Sequence, residues 1–515
     1  MKTALLLPRD TNQALGIGHF AVDFMAGRLG TGPSQAVLAK TRLLHTDAVL
    51  CGASALALRT NAPTLLRQEA FDYPDARGAT PLGMSTRVKA EKAIVSNASA
   101  MREWDSNGTN FGFNPALGHT AGEFGHNDFY SVAVAACQQR NLDGSTALRA
   151  MLLLDEIRGR LAEVFSLKTY KIDHVVHGAI ASAATYGALI GGSPEQIESA
   201  IGMFVAHYIP WRAIRAGKQL SDSKGASAAI STEVAILSMK RALNGFIGPK
   251  DIFRNPESMF RQFVKTGGDS PFDLVLNHSG DEFAVMGMHF KMGLYEHQSA
   301  GALQGLLDLI SADPELLQPG TIKRILIRAY EPAFSIIGDP AKRDPHTRQS
   351  ADHSMVYIVA TMLRKAIEAR DRIHRRLGTD AIWKLLMLSP WDYSREAIDH
   401  PLTRELMTKI AFEHGGAGYD AKYPDGIPTS VAITTEFGYA FDSGLVMYPA
   451  GHARNTTADL GAILKHKFGL LGALALPDGG DIDALIARLE SLGEMSSDDL
   501  QGLYTFDIAD RPGYE

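Results

Sequence analysis

Apolar residues recur at helical spacing through the first half of the chain. Residues 34–58 follow Pro33-Ser34 and carry Val37, Leu38, Leu43, Leu44, Val49 and Leu50, which predicts one long helix. Residues 145–166 place Leu148, Met151, Leu152, Ile157, Leu161 and Phe165 near the same spacing, with Ser145 as the expected cap. Ser193-Pro194-Glu195-Gln196 is a helix start: Ser caps, Pro fits the first turn, and Gln three residues after Ser completes a capping box. Ile197, Ile201 and Val205 follow at a period of four. The runs beginning at Gly178 and Gly225 are rich in Ala and Ser, and small side chains let helix axes approach closely. A compact helical array is expected.

The pattern changes after about residue 318. Residues 321–330 alternate apolar and charged positions, as a half-buried strand does. Residues 350–370 read as helix, and residues 430–437 and 443–448 as two β segments joined by a short turn. Residues 456–470 and 481–494 return to helical spacing. The fold class is therefore mainly α with a smaller α+β domain inserted late. The expected division is an all-helical domain over 1–285, an α+β domain over 286–449, and C-terminal helices over 450–515 that rejoin the first domain.

A length of 515 residues suits two or three domains, and 45% hydrophobic with 21% charged residues is ordinary globular usage. The net charge of -6, without a dominant basic stretch, argues against a nucleic-acid or anionic-membrane partner. The apolar run Ala4-Leu5-Leu6-Leu7 is too short for a signal segment or a membrane span, and a cytoplasmic location is expected. Cys51 and Cys137 are expected as buried reduced thiols. Two cysteines cannot supply the roughly three or four thiolates that hold an iron–sulfur cluster.

Four segments gather chemistry-bearing side chains in apolar or Gly-rich surroundings. They are Asp105 to Thr109 with Gly125-His126; Asp173-His174 with His177; Arg212, Arg215 and Lys218; and Lys291 with His297. Taken singly, each has a structural explanation: a lone His is commonly hydrogen-bonded in a core, and Lys or Arg on a helix commonly faces water. His174 and His177 lie three apart and can share a helix face toward a metal, although no third ligand stands at a characteristic spacing.

Together these segments resemble the MmgE/PrpD family, which includes 2-methylcitrate dehydratases, cis-aconitate decarboxylases and iminodisuccinate epimerases. The family's Asp-Phe-Asp-Asp-Thr-like segment is similar to Asp105 through Thr109, and its Gly-His element to Gly125-His126. The histidine before its small-residue helix falls on His174, and the Lys preceding a Phe-Pro-x-x-x-His stretch on Lys291, with His297 as the later His. Asp352-His353 resembles the family's Asp-His helix start. Tyr448-Pro449-Ala450-Gly451-His452-Ala453-Arg454 resembles the Tyr-Pro-x-Gly-His-Ala-Arg signature of the dehydratase branch. The chain departs from the pattern at four places. The stretch between Thr109 and His126 is longer, Gly108 replaces an acidic residue, Tyr295-Glu296 replaces Phe-Pro, and residues 218–224 align poorly.

The resemblance implies a helical array with an α+β lid, a homodimer, no cofactor or metal, and dehydration of a small tricarboxylate, foremost 2-methylcitrate. Such a reaction needs a base for a weakly acidic C–H, an acid for the departing hydroxide, and cations for the carboxylates. Histidine, with a pKa of about 6.5, suits the proton transfers, and Lys and Arg suit the carboxylates. Asp105 and His126 are thus expected in proton transfer, with His174 as a second acid–base group. Lys291, Arg212, Arg215, Lys218 and His297 are expected to bind substrate, with Thr109 positioning it. Asp352 is expected to cap its helix and Arg454 to anchor the return to the first domain. Other family reactions, and a non-enzymatic helical scaffold, remain as alternatives.

Overall fold

The computed structural model describes residues 3–215 and 219–514. Its first half is built on α1 (Gln13–Met25), α2 (Gln35–Ala57), α3 (Asn61–Ala70), α4 (Ala90–Arg102), α5 (Ser131–Arg140), α6 (Gly144–Val164), α7 (Val175–Ile190), α8 (Pro194–His207) and α9 (Ser223–Leu243). Ser34 caps α2 through the Val37 N–H, and the capping box of Ser193 and Gln196 starts α8 as expected. α6 begins differently. Asp143 caps it, accepting from Thr146 N at 2.8 Å, and the expected cap Ser145 instead donates to Asp143. A carboxylate satisfies the free N–H groups and the positive helix end at once.

The small residues of α7 and α8 mark close contacts. A Cβ on Gly178 would lie 2.0 Å from the Phe129 ring, and one on Gly202 would lie 1.9 Å from the Pro249 carbonyl oxygen. α7 consequently packs against α5, α6, α8 and α9, and forms the centre of the array. Within residues 1–285, expected to be wholly helical, short strands also form besides β2 (Pro74–Ala79). β1 (Ala4–Leu7) pairs antiparallel with β5 (Leu274–Asn277), and β3 (Thr109–Phe111) with β4 (Phe124–His126). The apolar run at the start of the chain is thus a strand.

The later part carries a four-stranded sheet in the order β7 (Ile410–His414), β6 (Ile322–Ala329), β8 (Thr429–Thr435), β9 (Ala440–Asp442). β6 and β7 are parallel and the other pairs antiparallel. Residues 443–448, expected as a strand, leave the sheet at Gly444, whose φ is +66, and only Val446 returns to bridge Thr429. The helix expected near 350 is Met355–Glu368, and its cap is Ser354 and not Asp352. The helices Leu460–Ala475 and Ile482–Glu490 pack on α2. No helix among the described residues is long and apolar enough to cross a membrane.

One extended segment joins these parts where the site forms. His289 and Thr109 exchange backbone hydrogen bonds of 2.7 and 3.0 Å, Phe290 N donates to Gly451 O at 2.9 Å, and Ser106 Oγ donates to Gly293 O at 2.7 Å.

Candidate active site

α4 ends at Arg102, and the chain then turns through Asp105, whose φ of +50 is left-handed. Asp tolerates that conformation better than most residues. Trp104 locks the turn: its indole N–H donates to Ser54 Oγ at 2.9 Å, and its ring lies edge-on to Tyr514. Gly108 has a steric reason, since a Cβ there would meet Leu44 Cδ2 at 2.5 Å. The acidic residue that the family resemblance led us to expect has no room.

The long segment between Thr109 and His126 loops out without separating them. The two residues are direct register partners in the β3–β4 pair. Gly125 is required beside them, because a Cβ would lie 2.0 Å from Arg158 Nη1. His174 immediately precedes α7, and its ring centroid lies 5.1 Å from that of His126. Distant chain segments therefore bring two imidazoles together.

A cavity of about 40 Å³ opens between them. Its walls include Asp105, Thr109, His126 and His174, and the cations Arg102, Arg212, Arg215 and Lys342. Glu296, Gln298, Ile336 and His353 close the other side. Arg102 pairs with Asp105 and approaches Asp128 at 3.7 Å, and its Nη2 is 3.4 Å from His126 Nε2. Lys291 pairs with Asp105 from behind and donates to the Asp105 carbonyl at 2.5 Å. Burial would raise the Asp105 carboxyl, yet Arg102 and Lys291 hold it well below the usual carboxylate range. Burial depresses His126 and His174 well below the ordinary imidazole value, and Arg102 adds to this at both. The positive end of α7 acts in the same direction at His174. Both rings are neutral at working pH.

Two cations differ from Arg102 in their distance from any carboxylate: Glu123 and Asp173 act on Arg212, and Glu296 and Asp339 on Lys342, only through space. Among the described residues neither Arg212 nor Lys342 has a side-chain ion pair, and burial lowers Lys342 to about 8. Arg215 is committed to Asp173 and lies 3.3 Å from His174 Nε2. His353 is the imidazole that sequence reasoning set aside as structural. Asp352 Oδ1 holds its Nδ1 at 2.7 Å, leaving Nε2 facing Asp105 Oδ2 at 3.4 Å, and burial lowers the ring to about 3. Asp352 is thus an orienting partner for His353, also paired with Lys224 at 2.6 Å, and does not cap the helix that follows.

Of the residues singled out from sequence, Asp105, Thr109, His126, His174, Arg212 and Arg215 line the cavity. Lys291 does not; it lies fully buried behind Asp105. His297 does not either. It stacks on His289, with ring centroids 4.9 Å apart, and His289 stacks on His452 at 4.1 Å. The packing of these aromatic faces draws His297 away from the cavity. Lys218 lies outside the described residues. His177 gives its Nε2 to the Phe165 carbonyl at 2.9 Å, whereas His174 Nε2 faces Arg215, so the two rings serve different partners. Among the described residues no three His, Cys, Asp or Glu side chains are grouped to hold a metal. Arg454 pairs with Asp425 on the surface. Arg102, Glu296 and Lys342 line the cavity without having been singled out from sequence, and His353, weighed there as catalytic and read as structural, lines it too.

Burial sets a testable protonation pattern. It lowers His45, His353 and His452 to about 3 and His177 to about 4. In the unfolded chain each titrates near 6.5, so each removes stability as pH falls from about 6.5 toward its depressed value, and none above it. Assigned imidazole NMR signals of these four should stay in the neutral position down to about pH 5. Protonation near 6.5 at any of them would contradict its burial.

Comparison with known proteins identifies the family of the chain. The model of the MmgE/PrpD N-terminal domain matches residues 22–270, and that of the MmgE/PrpD C-terminal domain matches residues 295–479. A fungal alkylcitrate dehydratase (Fungal sp., strain ATCC 74256) is 26% identical over 318 residues, covering 60% of this chain and 58% of the relative. The mitochondrial 2-methylcitrate dehydratase of Yarrowia lipolytica is 26% identical, covering 75% of this chain and 72% of the relative. The 2-methylcitrate dehydratase of Escherichia coli is 24% identical, covering 64% and 63%. With both domain models matched in order along the sequence, the chain belongs to the MmgE/PrpD family.

Proposed function

We propose that this chain is a hydro-lyase that removes water from 2-methylcitrate to give 2-methyl-cis-aconitate, a step of propionate catabolism. The observation that carries this reading is the pairing, in one cavity, of cations without an ion pair among the described residues with neutral imidazoles. Arg212 and Lys342 bind substrate carboxylates, because a cation without an internal partner gains most from an incoming anion. His126 and His353 are the candidate bases. Each is neutral, and Asp352 holds His353 Nδ1 so that its Nε2 stands toward Asp105 in the cavity wall. Asp105 is not assigned as base, because its carboxylate is already engaged by Arg102 and Lys291. It instead keeps Arg102 in place beside the developing carbanion. The cations supply the charge stabilisation without a metal. The names of the dehydratase relatives point to the same substrate class.

A cavity of about 40 Å³ has space for water and not for a seven-carbon acid, so binding requires its walls to part. The test is direct. Chelator-treated protein is incubated separately with 2-methylcitrate, citrate and cis-aconitate while alkene absorbance and carbon dioxide are followed. Alkene formation from 2-methylcitrate, undiminished by chelator, is expected. Carbon dioxide from cis-aconitate without dehydration would replace this reading by decarboxylation.

A further inference from the structure

We propose that Glu296 is the acid that protonates the departing hydroxyl, a role that rests on the hydro-lyase reading above. Glu296 stands in the cavity wall with Asp105, His126, His353 and Lys342. Its backbone is fixed from both sides. Tyr295, before it, is fully buried and accepts from Met292 N at 2.8 Å, and Glu296 N donates to the Asp352 carbonyl at 3.1 Å. The acid is thereby tied to the residue that orients His353.

The carboxyl is anchored at one oxygen and open at the other. Oε2 accepts from Gln298 N at 2.8 Å, whereas Oε1 has a single long contact, 3.4 Å from Gln298 Nε2, among the described residues. No Lys or Arg among the described residues reaches Glu296 in an ion pair. This sets it apart from Asp105, which two cations hold ionised. The other cavity groups are already suited to different tasks: the imidazoles are neutral acceptors, and Arg212 and Lys342 are cations without an ion pair among the described residues. An ionised Glu296 would repel the carboxylates those cations attract, whereas a protonated one donates a hydrogen bond to an alcohol oxygen. Burial, and next the Asp105 charge, raise this carboxyl to about 7, which leaves it protonated often enough to serve.

In the step itself Glu296 gives its proton to the hydroxyl oxygen as the C–O bond breaks. The electron pair of that bond leaves with oxygen, and water is released. A neutral imidazole takes the proton from the adjacent carbon, and the C–H electron pair becomes the second bond of the alkene. Glu296 ends as carboxylate and the imidazole as imidazolium. Exchange with solvent restores both, and no oxidant or reductant enters.

The test compares Glu296→Gln, which keeps the shape but cannot give up its proton in this way, with Glu296→Asp. Glu296→Gln should lose at least about 100-fold in kcat while KM changes less than about threefold. Wild-type kcat should fall as pH rises through about 7, and this limb should vanish in Glu296→Gln and persist in Glu296→Asp. A substrate analogue with fluoride in place of the hydroxyl, which departs with less help from an acid, should narrow the gap between variant and wild type. If Glu296→Gln does not fold, the wild-type and Glu296→Asp pH profiles and the fluoride analogue decide. Wild-type kcat with an unchanged alkaline limb in Glu296→Gln overturns the role, as does an equal loss on both substrates. Absence of any dehydration by the wild-type protein overturns the hydro-lyase reading and this role together.

Discussion

Replacing His126 by alanine is expected to lower turnover by about 10²–10⁴-fold while the protein remains folded. The imidazole lies at the end of β4 in the cavity wall, and its contacts to Arg102 are long, 3.4 and 3.5 Å. Removing it orphans no strong partner: Arg102 keeps Asp105, and the backbone of residue 126 keeps its pairing with Thr109. Burial holds the ring neutral, so the lost group has a nitrogen lone pair to offer and is not a spectator cation. Turnover and the thermal midpoint, measured on the same preparation, check this. A folded variant with near-normal turnover would pass the role of base to His353.

Replacing Lys291 by methionine acts on the fold as well as on activity. Lys291 is 0% exposed, pairs with Asp105 and donates to its carbonyl, so it holds both ends of a residue in a left-handed turn. Methionine leaves Asp105 buried with one of its two cations missing. A broken buried ion pair costs about 3–5 kcal/mol, and Arg102 remains to keep the loss toward the lower figure. Activity falls too, because a displaced Asp105 no longer places Arg102 beside His126. Denaturant unfolding measures the first effect and steady-state turnover the second. The double variant Lys291→Met with Asp105→Asn should recover part of the stability and none of the activity. Unchanged stability in the single variant would mean that the pair contributes nothing to folding.

These two expectations differ because proximity in sequence to a motif says nothing about which side of it a side chain takes. Lys291 and His297 carry residue types that the family resemblance led us to expect, and neither lines the cavity. Lys291 was drawn inward by the Asp105 carboxylate, 186 residues away, and His297 by the faces of His289 and Phe111. The residues that entered unannounced, Lys342 and Glu296, lie in segments with no regular periodicity. Among the described residues neither makes an ion pair, and a pair not made leaves no mark on the chain.

Local physics was legible from the start. The capping box at Ser193, the period of α2 and α6, the alternation along β6 and the crowding of small residues in α7 are all decided within a few residues of one another. Such short-range preferences, together with ordered motifs, were enough for the helical array, the late sheet and six of the cavity residues. Tertiary structure alone decided which charges neutralise each other, which imidazoles are stripped of water, and which cations stay unpaired. Electrostatic character depends on distance in space and on burial, and the chain sets both only after segments hundreds of residues apart have packed together.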